Sequence, residues 1–522
     1  MSPEALSGRT FDVVVVGAGI SGASAALAAA ERGSRVALLT KEPDPAESNT
    51  RYAQGGIIYT APEDSPERLT RDVLDAGGLA GDPSAVRLLA ERGPADVREL
   101  LMERLSVPFD RDAGGGVSLT REGGHSVARI AHHRDTTGEV VQARLLEAIR
   151  SEPRITLVTG ARASRLLGPD GTELRPGGCC SGVAVIVGEE EWTVPAGAVV
   201  LASGGYAALY ASTTNPPGAT GDGLALALRA GAATRDLHYV QFHPTALYAP
   251  GRAGRSVLVS EAVRGEGGVL VDEEGREVVR KHPSGSLAPR DAVSREAVRS
   301  MRETGSPCVY LDATPRRTGR SPGWFARRFP AVYAACRDAG VDPEVEAIPV
   351  APAAHYTCGG VGTDLDGRTS VPGLLAAGEV ASTGVHGANR LASTSLLEGL
   401  VFGLRAGRTA ALEGSRPAQW PARQTAGTLT RAGCPAEWER LRALLQERAG
   451  ILRDAEGLEA GLAEVEELRA RHAGERGAFG DALLVAEGVL RDALGERGSR
   501  GCHHRTDMED VKREHEVAGL PG

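Results

Sequence analysis

The first strong pattern along the chain is an apolar run that ends in glycine. Val13 to Val16 are consecutive valines and predict a strand buried on both faces. Gly17-Ala18-Gly19-Ile20-Ser21-Gly22 follows at once, and the Ala-, Ser- and Leu-rich stretch to Gly33 predicts a helix. Arg35 to Leu39 then predicts a second apolar strand. Strand, G-x-G-x-x-G, helix and strand make the dinucleotide-binding unit. The first glycine permits the tight turn, the second lets a pyrophosphate approach the backbone, and the third lets helix and strand pack closely. The helix N-terminus then offers free N–H groups and the positive end of its dipole to phosphate. The second strand ends in Leu39-Thr40-Lys41, without the acid that usually binds an adenosine ribose. That puts NAD-type ribose recognition in doubt and leaves open a cofactor with more phosphate-directed contacts.

Further along, residues 65–105 predict two amphipathic helices and Gly138 to Arg150 another. Ile155 to Thr159 predicts a strand, Val183–Val187 with Trp192–Val194 a hairpin, and Gly197 to Gly205 a strand running into a turn of small residues. From about Ala411 the composition shifts, and 436–450, 455–472 and 480–497 predict a C-terminal helical bundle. The expected fold class is α/β: a Rossmann-like nucleotide domain (1–236 and 352–412), an inserted α+β capping domain (237–351) and a C-terminal helical domain (413–522). The last residues, Met508–Gly522, are expected to form a frayed tail.

Composition narrows the function classes. The 522-residue chain carries 59 basic and 68 acidic residues, a net charge of −9 that argues against a general nucleic-acid binder. No apolar run is long enough to span a bilayer, and the first ten residues hold no signal-peptide core. Its seven cysteines are scattered without C-x-x-C pairs, which fits a reducing cytoplasm and neither a disulfide framework nor an iron–sulfur protein.

Candidate chemistry lies in separate motifs. Ser48-Asn49-Thr50-Arg51-Tyr52-Ala53-Gln54-Gly55-Gly56-Ile57 is polar and then Gly-rich, as in a loop that clasps a cofactor. Glu122 stands among glycines in Thr120–Ser126. His132 and His133 are adjacent, so their side chains point apart and make a poor metal pair, and Cys502-His503-His504 cannot wrap one ion. Cys358 has no neighbouring base in sequence and reads as small packing. Asp222 opens a predicted helix, where an acid serves equally as a cap or as a cofactor contact.

These motifs, with Gln241-Phe242-His243-Pro244-Thr245, Ser260–Gly267, Ala288–Asp291, His355–Val361, Gly373–Glu379 and Gly387–Leu397, resemble the flavoprotein family of the succinate dehydrogenase and fumarate reductase flavin subunits. The resemblance runs from Val13 to Asp507. It implies FAD, with contacts from Gly17 through Gly22, from Lys41, from Asn49 through Gly56, and from Arg162, Ala163, Asp222, Glu379, Ser395 and Leu396. The respiratory members bond FAD covalently through a histidine at the position of Asn49, so FAD is expected to be held non-covalently here. His243, His355 and Arg390 match carboxylate ligands; the alternative for each histidine is a hydrogen-bonded core residue. Arg290 matches a proton-moving arginine, with Glu261 and Arg264 as its relay partners; the alternative is a structural ion pair with Asp291.

Glu122 replaces an apolar residue of the succinate and fumarate enzymes. An acid facing a dicarboxylate repels it unless the ligand also brings a cation, and the family's aspartate-oxidising members use a Glu here to orient the amino group. The implied reaction is therefore oxidation of L-aspartate to iminoaspartate, with O2 or fumarate as acceptor. The imine would feed quinolinate synthase and NAD synthesis. No nucleic-acid or membrane partner and no metal is expected. The rival readings are a soluble fumarate reductase or succinate dehydrogenase flavoprotein, and a flavin-binding partner protein without turnover.

Overall fold

The computed structural model describes residues 6–251, 254–414, 420, 423–425, 433–472 and 477–508. Most of the tail expected at 508–522, from 509 on, lies outside the described residues.

The valine run forms strand β1 (Phe11–Val16), followed by helix α1 (Ile20–Glu31) and strand β2 (Val36–Leu39). β1 is central in a parallel sheet: Val14 lies opposite Ala37 of β2 and Val199 of the Glu190–Leu201 strand. Ile155–Val158 extends the sheet beyond β2, and Leu374–Ala376 pairs with the far side of Glu190–Leu201. Both faces are covered, so Val13, Val14 and Val15 are fully buried. Each such valine contributes about 1.5–3 kcal/mol relative to an exposed one.

The expected hairpin forms, from Gly182–Val187 and Glu190–Leu201, but its second arm and the small-residue strand expected as a separate element are one twelve-residue strand, Glu190–Leu201. Its first half pairs antiparallel with Gly182–Val187, and its second half pairs parallel with β1. The strand changes partner around Pro195, whose missing N–H suits that switch. Gly197 is needed just beyond it: a Cβ there would sit 2.4 Å from the Gly414 carbonyl oxygen.

A long helix, Thr394–Glu413, crosses α1 at close range. Gly399, Gly403 and Gly407 repeat every four residues on one face, and side chains there would collide with Ile20, Ser21 and Ala25. This bare stripe brings the start of the long helix beside the start of α1, at the nucleotide turn.

The second sheet has four antiparallel strands in the order Val240–Leu247, Ile348–Thr357, Val309–Asp312, Val269–Val271. Helices Glu261–Gly265, Arg290–Thr304 and Pro330–Asp338 close its separate apolar core, which includes Val263, Val293, Phe325 and Ile348. The Ile348–Thr357 strand is continuous through residue 352, where the sequence places the return to the nucleotide domain.

The C-terminal helices are Pro435–Arg448, Ala455–Arg471 and Ala478–Gly495. Leu445, Val465, Phe479 and Val489 share one continuous core with Tyr206, Tyr210 and Leu226. Between the long helix and the bundle, Arg423–Thr425 returns to pair antiparallel with Glu191–Thr193, an element the sequence pattern does not announce.

Candidate active site

One cavity, about 1750 Å³ of atom-free space partly open to solvent, runs along the nucleotide turn into the cleft beneath the cap. Gly17 begins the turn at φ +114°, and a Cβ on Gly22 would sit 1.8 Å from the Gly17 carbonyl oxygen. The third glycine thus packs and does not line the cavity, whereas Gly17, Ala18, Gly19, Ile20 and Ser21 do. Thr50 Oγ1 accepts from the Ile20 N–H at the start of α1 (3.0 Å), which ties the second loop to the turn. Asn49, Tyr52, Ala53, Gln54, Gly55 and Gly56 line the same wall. Arg51 is the exception: its guanidinium turns away to Asp44 (3.3 Å) and it is not part of the lining.

Lys41, Arg162, Ala163 and Asp222 also face this cavity. Asp222 accepts from Lys41 Nζ (2.8 Å) and Thr220 Oγ1 (2.6 Å), and these partners hold its carboxyl below the usual range in spite of burial. Gly221, not Asp222, is the helix cap. Asn49 Nδ2 donates to Asn215 Oδ1 (2.7 Å) and to Glu379 Oε2 (3.0 Å). Burial pushes the Glu379 carboxyl up to about 7.

The residues fit a dinucleotide. The bare glycine turn leaves room for pyrophosphate, and buried polar atoms of Ser21, Gln54 and Ser203 have no protein partner. They are the donors and acceptors that a polar cofactor satisfies. Ser395 and Leu396 lie in the first turn of the long helix, where free N–H groups favour negative charge.

Under the cap, Glu122, His243, Glu261, Arg290, His355 and Arg390 converge on the cavity. Arg290 opens its helix and donates Nε–H to Glu261 Oε2 (2.6 Å) and Nη1–H to Gln241 Oε1 (3.2 Å). Asp291 pairs instead with Arg295, so the alternative of an Arg290–Asp291 pair does not hold. Arg264 sits behind Glu261, with Nη2 3.3 Å from Glu261 Oε1, and does not itself line the cavity. The two guanidiniums hold Glu261 ionised against a burial effect that pushes its pKa up.

Both histidines lie at strand irregularities. His355 is the extra residue of a bulge: Tyr356 faces Gln241 and Ala354 faces Phe242, which leaves His355 unpaired and re-aimed. Hydrogen-bond partners fix their tautomers. The Thr245 N–H donates to His243 Nδ1 (3.3 Å), so the proton of the neutral ring is on Nε2, which is buried without a protein partner. Arg390 Nη2 donates to His355 Nε2 (3.1 Å), so His355 donates from Nδ1 to Thr214 Oγ1 (2.7 Å). Burial, then the nearby arginines, drives both imidazoles well below their usual pKa. His243 therefore offers a free donor, while both nitrogens of His355 are engaged and the ring steadies Arg390.

Arg390 lies over the Tyr356 ring at 4.8 Å, and its hydrogen bonds go only to neutral groups: Leu391 O, Ser395 Oγ and His355 Nε2. Burial lowers its pKa to about 10. Its charge thus awaits a ligand anion. Glu122 is also buried and accepts from Ser393 Oγ (2.6 Å). Burial and then the Glu261 charge raise its pKa.

The sequence motifs contain Gln241, Thr245 and Ser393 but assign no role to these neutral partners or to Thr214. Gln241 carried a usable signal, since it stands two residues before His243 on one strand. Elsewhere, Arg129 is buried between Asp64 (2.8 Å) and Asp72 (2.5 Å). His132 and His133 both approach Asp110, and no group of three or more metal-ligating side chains occurs among the described residues. Cys358 packs with Tyr239, Tyr356 and Ala388. The Cys502 segment docks behind Arg390 through the Cys502 N–H to Ala388 O (2.9 Å).

Residues 12–396 match the family model described as FAD binding domain, and the chain belongs to this flavoprotein family. A solved E. coli quinol fumarate reductase chain superposes with a TM-score of 0.83 at 29% identity, covering 98% of this chain and 93% of that one. Within the family the chain groups with the L-aspartate oxidases. It is 43% identical to the Mycobacterium bovis L-aspartate oxidase over 95% of this chain and 92% of that one. It is 41% identical to the Halobacterium salinarum L-aspartate oxidase over 95% and 97%.

Proposed function

We propose that this chain oxidises L-aspartate to iminoaspartate with FAD as the hydride acceptor, and that O2 or fumarate takes the electrons onward. The observation that carries the reading is Glu122. It is an acid buried among arginines in a pocket otherwise suited to a dicarboxylate, and it needs a ligand cation. Arg390 takes one substrate carboxylate, steadied by His355 and Tyr356, and His243 donates from Nε2 to the other. Glu122 takes the α-ammonium. The C2–H bond then breaks and its electron pair leaves with the hydrogen as hydride, the ammonium passes one proton to the Glu122 carboxylate facing it, and the freed nitrogen lone pair forms C=N. Holding the reacting atoms in this geometry contributes about 7–11 kcal/mol where alignment is near ideal.

Arg290, Glu261 and Arg264 form a continuous ion-paired chain from the cavity inward. Arg290 is a poor acid alone, but the carboxylate at its Nε supplies a partner for proton exchange. This suits protonation of fumarate when fumarate is the acceptor. No described helix is long and apolar enough to cross a membrane. We place the protein in the cytoplasm, with quinolinate synthase as recipient of the imine in NAD biosynthesis, on the strength of the scattered cysteines and the family reaction.

Anaerobic addition of L-aspartate, and separately succinate, to the flavin-loaded protein tests the reading. Bleaching of the visible flavin band by L-aspartate alone, reversed by air or fumarate, is expected. Bleaching by succinate alone moves the protein to the dehydrogenases, and no bleaching by either leaves a flavin-binding protein without turnover.

A further inference from the structure

We propose that Ser393 is a specificity-determining positioning residue: its hydroxyl holds the Glu122 carboxylate, which fits in the space left by the bare Cα of Gly55, and aims it at a substrate ammonium. This rests on the aspartate reading above and assigns how that site selects an amino dicarboxylate over a plain one.

Ser393 Oγ donates to Glu122 Oε2 at 2.6 Å. The other carboxylate oxygen has Gly55 behind it, where a Cβ would lie 2.3 Å from Glu122 Oε1 and 3.3 Å from Ser393 Oγ. The Ser393 hydroxyl thus holds one carboxylate oxygen, and the missing side chain of Gly55 leaves the room the other oxygen occupies.

Ser393 sits at φ +58°, a left-handed backbone that a non-glycine residue adopts only when its surroundings insist. Two structures supply that insistence. On the C-terminal side, the long helix begins at Thr394 and is locked onto α1 by its glycine stripe. On the N-terminal side, His125 Nε2 donates to Ala392 O at 3.0 Å. Arg129 Nη1 meets His125 Nδ1 at 3.3 Å and can only donate, so the proton of the neutral ring is on Nε2. Arg129 is itself clamped by Asp64 and Asp72. The loop carrying Glu122 and the turn carrying Ser393 are therefore tied together through His125, three residues beyond Glu122. The His125 tie makes no hydrogen bond to the carboxylate ligands Arg390 and His243, whereas the long helix also meets Arg390 through Ser395 Oγ (3.3 Å).

The test uses the flavin-loaded full chain with Ser393→Gly and Ser393→Ala. Glycine keeps the left-handed backbone without strain, so loss of the hydroxyl is separated from loss of fold. The readout is the KM for L-aspartate against the Ki of succinate as a competitive inhibitor. The ratio of KM to Ki is expected to rise about tenfold or more in both variants, as for loss of a hydrogen bond to a charged group. In a Glu122→Gln background, Ser393→Gly is expected to change that ratio less than about twofold, because the residue acts through Glu122. An unchanged ratio in the Ser393→Gly protein overturns the proposal, as does an equal change with and without Glu122. If wild-type protein is not reduced by L-aspartate, the proposed function itself fails. Reduction of wild type with an unchanged ratio in the variants removes only Ser393.

Discussion

Replacing Glu122 by glutamine removes one charge and almost no volume. Its amide oxygen still accepts from Ser393 Oγ, so the shape of the cleft is retained. What is lost is a charge-assisted contact to the substrate ammonium in a buried site. Hydrogen bonds to charged groups contribute about 1.5–3 kcal/mol net, which is a loss of about 10- to 150-fold in kcat/KM for L-aspartate. Succinate has no ammonium, and for it the substitution removes a like charge, so its Ki should fall or hold. The assay is O2 uptake across aspartate concentrations with succinate as competitive inhibitor. Equal weakening of aspartate and succinate would refute the role of Glu122. Stability supplies a second readout. The folded-state pKa of Glu122 is raised, chiefly by burial, so its contribution to stability is present at low pH and lost as pH rises through the folded value. Glutamine does not titrate. The flavin-free variant should therefore gain thermal stability over wild type at pH 8, by a margin that shrinks on acidification.

Arg290→Leu should lower fumarate-dependent reoxidation of reduced flavin by about 10²–10⁴-fold, the usual range for a lost proton donor. Unchanged reoxidation in stopped flow takes Arg290 out of the proton chain. Glu379 is pushed up to about 7 from 4.5, so flavin-free wild type should lose urea resistance as pH rises between those values, and Glu379→Gln should flatten that slope. Acid precipitation should release all the flavin, because Asn49 offers only an amide already bonded to Asn215 and Glu379; yellow colour retained in the pellet contradicts non-covalent binding.

The nucleotide unit was legible because every signal in it is local. Four valines, a glycine turn and an alanine-rich helix lie within one short stretch, and their periods agree. The Glu190–Leu201 strand was read as two pieces because Pro195 and Gly197 interrupt its pattern. Only the tertiary structure shows that the strand changes partners there and that Gly197 admits Gly414. The glycines of the long helix likewise gain meaning only once α1 lies across them. In the site, motif residues with charge stood out, and the structure brings Glu122, Glu261, Arg290 and Arg390 to one cavity from distant parts of the chain. Arg51 shared a motif with true lining residues but faces Asp44, since a loop alternates sides unpredictably. The engagement of both His355 nitrogens was invisible in sequence, because a tautomer is set by partners from other strands.

Charge balance links the site to its preferred ligand. Arg290 and Arg390 face Glu122 and Glu261, with Arg264 behind Glu261, while His243 and His355 are held neutral, so with both carboxylates ionised this five-residue charged cluster carries one net positive charge. Ionised L-aspartate carries two carboxylates and one ammonium, so its single net negative charge neutralises the buried cluster. A plain dicarboxylate brings one negative charge more than the cluster compensates, and beside buried side chains that excess weakens binding. Removing the charge of Glu122 moves the balance to a dianion. The residue proposed to position the amino group would therefore also set the total charge the cleft accepts. On the proposed reading the two ligands therefore compete on unequal terms: L-aspartate is matched in charge to the cluster, and the fumarate dianion is held more weakly.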